Sequence, residues 1–134
     1  MDTNVLVSAF ATRGLCADLY ERLLTEHEVV ICEPVVAEVL DILQRKFRAM
    51  AELLIKVEAE LRLLQVIPAQ VTAPSLPIKD VDDPWIIACA LQADVACFVT
   101  GDAELLALGM AELDMLNKLP IISPRDCWNQ INLV

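Results

Sequence analysis

Asp83-Pro84-Trp85-Ile86-Ile87-Ala88-Cys89-Ala90-Leu91, followed closely by Ala96-Cys97-Phe98-Val99-Thr100-Gly101-Asp102, is the stretch that decides the fold. The first segment reads as a helix, because an aspartate caps an N-terminus well and a proline fits the first turn. The second is a short apolar run broken by glycine, and it reads as a buried strand. A buried strand arriving straight out of a helix predicts parallel pairing under helical cover.

Outward from there the same alternation repeats. Thr72-Ala73-Pro74-Ser75-Leu76-Pro77-Ile78-Lys79 is a loop, marked by its two prolines. Before it, residues 49–64 read as a surface helix with one apolar stripe, and residues 34–47 as a helix opened by Pro34. Val29-Val30-Ile31-Cys32 is a short buried strand, preceded by an amphipathic helix over residues 15–26. Downstream, a short helix begins near Ala103, Pro120-Ile121-Ile122-Ser123 forms a last strand, and Ser123-Pro124 opens a closing helix through Trp128. Alternating helices and short strands imply an α/β fold, with three layers (α/β/α) around a central parallel sheet. No repeat, low-complexity tract or Gly/Ser linker divides the chain, so residues 1–134 read as a single domain.

Hydrophobic residues make up 57% of the chain, an excess that must be buried somewhere. A membrane does not take it, because the longest apolar run, 85–91, is far short of the roughly 18–20 residues a span needs. Buried parallel strands, apolar helix faces and a homodimeric or larger interface absorb it better. The opening Met1-Asp2-Thr3-Asn4 has no basic region before an apolar stretch, as a secretory signal would. The five cysteines are widely spaced with no CxxC pair, which predicts reduced, buried thiols and a cytoplasmic protein. A zinc site is disfavoured by the single histidine, His27, which reads as a solvated residue before a strand. The net charge of −10 argues against a surface that grips nucleic acid broadly. It leaves room for a nuclease whose acids surround metal ions, or for a basic partner.

In a parallel sheet, functional groups collect beyond the carboxyl ends of the strands. Asp2, Glu38, Asp83 and Asp102 fall at such places. Carboxylates brought together repel one another, so a cluster implies a neutralising cation. Oxygen ligands without clustered His or Cys select hard ions, Mg2+ or Mn2+. Taken singly, each acid reads equally well as a cap, a helix-face charge or part of a terminus.

Four blocks carry a resemblance that gathers these acids. Asp2-Thr-Asn-Val-Leu-Val-Ser-Ala-Phe10 is similar to the signature that opens PIN domains. Glu33-Pro-Val-Val-Ala-Glu-Val-Leu40, with Arg45-Lys46-Phe47, resembles the second block, where Glu38 takes the acidic place. Asp80-Val-Asp-Asp-Pro84 with Ile86–Leu91 resembles the third, with Asp83 as its metal-binding aspartate. Phe98-Val-Thr-Gly-Asp102 resembles the fourth, with Thr100 in the supporting hydroxyl position and Asp102 in the acidic one. The resemblance implies a Mg2+- or Mn2+-dependent ribonuclease using Asp2, Glu38, Asp83 and Asp102 to activate water. It further implies a VapC-like toxin of a toxin–antitoxin pair, with RNA as substrate, a small antitoxin as inhibitor and a dimeric assembly. RNA processing or decay, and a non-catalytic PIN-like interaction protein, are the rival readings. Members of the family carry apolar residues before the first aspartate, forming the central strand. Here only Met1 precedes it, which predicts a truncated first strand and a loosely held Asp2.

Other features carry less. Asp80 and Asp82 are spare acids near the cluster, read as solvated loop residues. Arg45, Lys46 and Arg48 form a dense basic patch, either a phosphate contact or the basic end of a helix. Trp85 reads as buried, and Met110 and Met115 as core or interface. Three glycines form no phosphate loop, and one histidine supports no Ser-His-Asp or Cys-His arrangement.

Overall fold

Strand pairing in this chain is parallel throughout the described residues, but the sheet comes in two pieces. A computed structural model describes residues 1–80, 83–111 and 119–132. β1 (Val30–Cys32) pairs with β2 (Gln65–Ile67), and β3 (Phe98–Val99) pairs with β4 (Ile121–Ile122). Seven helices surround them among the described residues: α1 (Thr3–Ala11), α2 (Leu15–Glu26), α3 (Glu33–Phe47), α4 (Ala51–Arg62), α5 (Asp83–Ala93), α6 (Ala103–Met110) and α7 (Pro124–Ile131).

The α/β class is therefore observed, whereas among the described residues one continuous central sheet inside three layers is not. The two pieces are bridged at Met1 and Asp2. Met1 donates its terminal N–H to the Val30 carbonyl at 3.3 Å, and Asp2 donates its backbone N–H to the Val99 carbonyl at 2.9 Å. Successive residues of an extended chain send their N–H groups to opposite sides. Met1 and Asp2 thus do what a strand between β1 and β3 would do, for two residues. Beyond them lies a cavity of about 930 Å³ whose lining includes Val30, Ile31, Phe98 and Val99.

Local sequence explains most helix ends. Asp2 caps α1, and burial of Val5, Leu6 and Val7 outweighs the modest helix propensity of valine. Gly14 precedes α2 at φ 142°, a conformation that side chains resist. Pro34 sits in the first turn of α3, and the Ser123 hydroxyl caps α7 by accepting from Asp126 N–H at 3.1 Å. α1 packs against α2 and α3, and Leu6, Leu19, Val35, Val36 and Val39 fill that core. β2 is a strand the sequence pattern did not reveal, since Gln65-Val66-Ile67 merely extends the apolar end of a helix. Residues 68–80 hold no helix or strand, as the two prolines imply.

Several expectations need correction. Cys32 and Cys89 are joined in a disulfide, so the five thiols are not all reduced; Cys16, Cys97 and Cys127 are free. Packing of α5 on β1 brings the pair to a Cα separation of 5.8 Å from 57 positions apart, which spacing along the chain does not reveal. Cys16 and Cys97 are only partly covered. Trp85 is 40% exposed, because the α5 face that packs inward carries Ile86, Ile87, Cys89 and Ala90 instead. Met110 ends α6 largely in solvent, which excludes the core but not an interface, and Met115 lies outside the described residues. His27 is exposed at the end of α2, as its flanking glutamates suggested. No helix among the described residues is long and apolar enough to cross a membrane.

Candidate active site

Asp2 is the structural hinge of the acidic cluster. It lies where the two-residue strand mimic ends and α1 begins, and it is buried. Its Oδ1 accepts the Thr3 backbone N–H at 2.8 Å, and its Oδ2 accepts the Thr100 hydroxyl at 2.6 Å. With the backbone bond to Val99, these contacts correct the expectation of a loosely held Asp2. Two residues of strand suffice because a fully buried threonine supplies the remaining anchor.

Thr100 follows β3, and its hydroxyl works in both directions. While donating to Asp2 it accepts the Asp102 backbone N–H at 3.0 Å. Asp102 in turn caps α6, its Oδ1 accepting Glu104 N–H at 2.8 Å and Leu105 N–H at 3.0 Å. One threonine therefore sets two of the four acids. Glu38 lies in the first half of α3, half-buried, and its Oε2 accepts the Thr3 hydroxyl at 2.6 Å. Thr3 was not singled out from the sequence. A threonine after a capping aspartate carries no signal that its hydroxyl will meet a residue 35 positions away.

Asp83 opens α5 with 9% of its surface exposed. Its carboxyl is pushed up to about 7 from an ordinary 3.8, chiefly by burial and then by repulsion from Asp80, Asp2, Asp102 and Glu38. The other three acids named from the sequence therefore all act on Asp83, and Asp80 joins them. The loop bearing Asp80 is pinned to α6 where the Lys79 backbone N–H donates to the Glu104 carboxylate. Asp82 lies outside the described residues.

Among the described residues, no group of three or more His, Cys, Asp or Glu is placed to hold a metal ion. The donor chemistry nonetheless fits one. All the donors are carboxylate oxygens, and the raised Asp83 carboxyl registers a surplus of buried negative charge that a hard divalent cation would offset. The basic patch stands apart from this cluster. Arg45 is seven residues beyond Glu38 on α3, about 10 Å along the axis. Its guanidinium pairs with Asp41 at 3.1 Å, and Arg45 and Lys46 sit in the last turn of the helix. That placement favours the role of a basic helix end.

Comparison with known proteins is consistent with this geometry. The family model for the PIN domain matches residues 1–104. No curated protein matches the chain. The matched span takes in Asp2, Thr3, Glu38, Asp83, Thr100 and Asp102, and the chain belongs to the PIN domain family.

Proposed function

We propose that this chain is a Mg2+- or Mn2+-dependent endoribonuclease acting as the toxin of a toxin–antitoxin pair, with residues 1–134 working as one domain. PIN domains are generally nucleases. The observation that supports metal dependence is Asp83, buried and pushed up to about 7 by that burial and by Asp80, Asp2, Asp102 and Glu38. In this reading the four carboxylates hold the cation. Thr100 orients Asp2 and Asp102, and Thr3 orients Glu38, so that the acids need little rearrangement when charge arrives. A bound cation of this kind supplies Lewis acidity toward water and toward the leaving oxygen of the phosphodiester.

The test is cleavage of single-stranded RNA by the purified chain across a Mn2+ titration, with Asp83→Asn beside it. Wild type should cleave only with the cation. Asp83→Asn should fold and lose more than the ~10–100-fold that outer-shell changes cost. Full activity in a folded Asp83→Asn protein sinks this assignment.

A net charge of −10 suits inhibition by a small antitoxin with a basic segment. Self-association is supported by Phe47, Met50, Leu53 and Ile55, large apolar residues left exposed from the end of α3 into α4. Sedimentation at micromolar concentration should give a dimer or larger, and a monomer throughout contradicts it. One observation favours a second reading, a non-catalytic PIN-like interaction protein: no described trio of acids is already placed for a metal. Calorimetric titration with Mn2+ separates the two, because the interaction protein would take up no cation.

A further inference from the structure

Two buried cysteines join the elements that present two of the four acids. Cys32 is the N-cap of α3, six residues before Glu38, and Cys89 lies in α5, six residues after Asp83. Their sulfurs are bonded. Apart from this bond, α5 is held on that side by packing on β1, which runs directly into α3. The bond therefore braces the junction from which Glu38 and Asp83 approach each other.

The pair is also within reach of small reagents. Cys32 and Cys89 both line the cavity of about 930 Å³, whose lining extends to the exposed Glu26, His27 and Glu28. We propose that Cys32 and Cys89 are a reversible oxidation site whose bond sets the spacing of Glu38 and Asp83, and so controls how tightly the acidic cluster holds a divalent cation. This rests on the metal-dependent reading above. Formation uses a peroxide: one thiolate is oxidised to the sulfenic acid as the peroxide's O–O bond breaks, and the second thiol displaces water to close the S–S bond. Net, two thiols and one hydrogen peroxide give one disulfide and two waters. Reopening uses a dithiol, whose first thiolate forms a mixed disulfide with one cysteine. Its second thiol then releases the other sulfur, leaving the reductant as a cyclic disulfide and both cysteines as thiols.

The oxidised state is the tight state, because a crosslink that closes 57 positions restricts the unfolded chain and the α3–α5 geometry together. The experiment compares the full chain after peroxide treatment with the same chain reduced by dithiothreitol and desalted without oxygen, and adds Cys89→Ala. Peptide mapping under non-reducing conditions should recover a Cys32–Cys89 link only from the oxidised sample. Reduction should lower the melting temperature by on the order of 10 °C. Calorimetric Mn2+ affinity should fall by on the order of tenfold, the scale of other changes that disorient ligands. Cys89→Ala should match the reduced chain in affinity and ignore dithiothreitol. Failure to recover the link after peroxide, or a link only between Cys97 and Cys127, overturns the proposal. A Cys32–Cys89 link with unchanged Mn2+ affinity overturns the control of the acids while leaving the nuclease reading intact. Absence of Mn2+ uptake in both states removes the metal reading, and this proposal falls with it.

Discussion

Asp2 and Asp83 are hidden from solvent to nearly the same degree, 6% and 9% exposed, yet their surroundings differ in kind. Asp2 is met by donors: a backbone N–H on one oxygen and the Thr100 hydroxyl on the other. Asp83 is pushed up to about 7 by burial first and then by repulsion from Asp80, Asp2, Asp102 and Glu38. Similar exposure therefore goes with different partners at the two positions. At Asp83, desolvation and like charge act together against the charged form. One aspartate is a fixed point of the fold, whereas the other is where the charge of the cluster is unbalanced.

The sharpest way to break that contrast is to vary pH in the absence of metal. Asp83 has a folded value of about 7 against an ordinary 3.8, so between those values the folded state binds the extra proton. The stability it favours is fully present below about pH 4 and is lost as pH rises through about 7. Chemical denaturation of metal-free protein at pH 5 and pH 8 should show this fall, and Asp83→Asn should flatten it. Saturating Mn2+ should stabilise wild type more at pH 8 than at pH 5, because protons compete with the cation for the same oxygens. An equal pH slope in Asp83→Asn would assign the effect elsewhere.

The second test works on the other aspartate. Thr100→Val keeps the volume but removes the hydroxyl that joins Asp2 to Asp102, leaving a buried carboxylate oxygen and a backbone N–H without that partner. The cost in stability should be about 1–3 kcal/mol, with Mn2+ affinity down about 10–100-fold. Because Asp83 is not touched, the metal-free pH dependence should survive. If it vanishes, the two aspartates are coupled more tightly than their separate surroundings imply.

The smallest effect expected comes from the gap between the half-sheets. Five or six β-forming residues fused ahead of Met1 would run between β1 and β3, pair with both edges and occupy the cavity beside them. The melting temperature should rise by several degrees, with a modest gain in Mn2+ affinity through firmer placement of Asp2. The pH window of Asp83 should stay where it is. An extension that changes neither quantity would mean that Met1, Asp2 and Thr100 already hold this corner of the site completely.

What local sequence determined is what short-range chemistry controls. Residues 15–26 formed the helix their periodicity demanded, and Pro34 and Ser123-Pro124 opened helices. The four acids were legible for a different reason, since the motifs around Asp2, Glu38, Asp83 and Asp102 resemble those of PIN domains, and the PIN domain model matches residues 1–104. Tertiary structure alone decided the rest. Thr3 reaches Glu38 across 35 positions, Thr100 reaches Asp2 across 98, and Cys32 reaches Cys89 across 57. The division of the sheet into two pieces depends on how β1 and β3 both meet Met1 and Asp2. Helix caps and periodicity act within a turn or two of chain, whereas hydroxyl, sulfur and carboxylate contacts at long separation exist only after the core has closed around them.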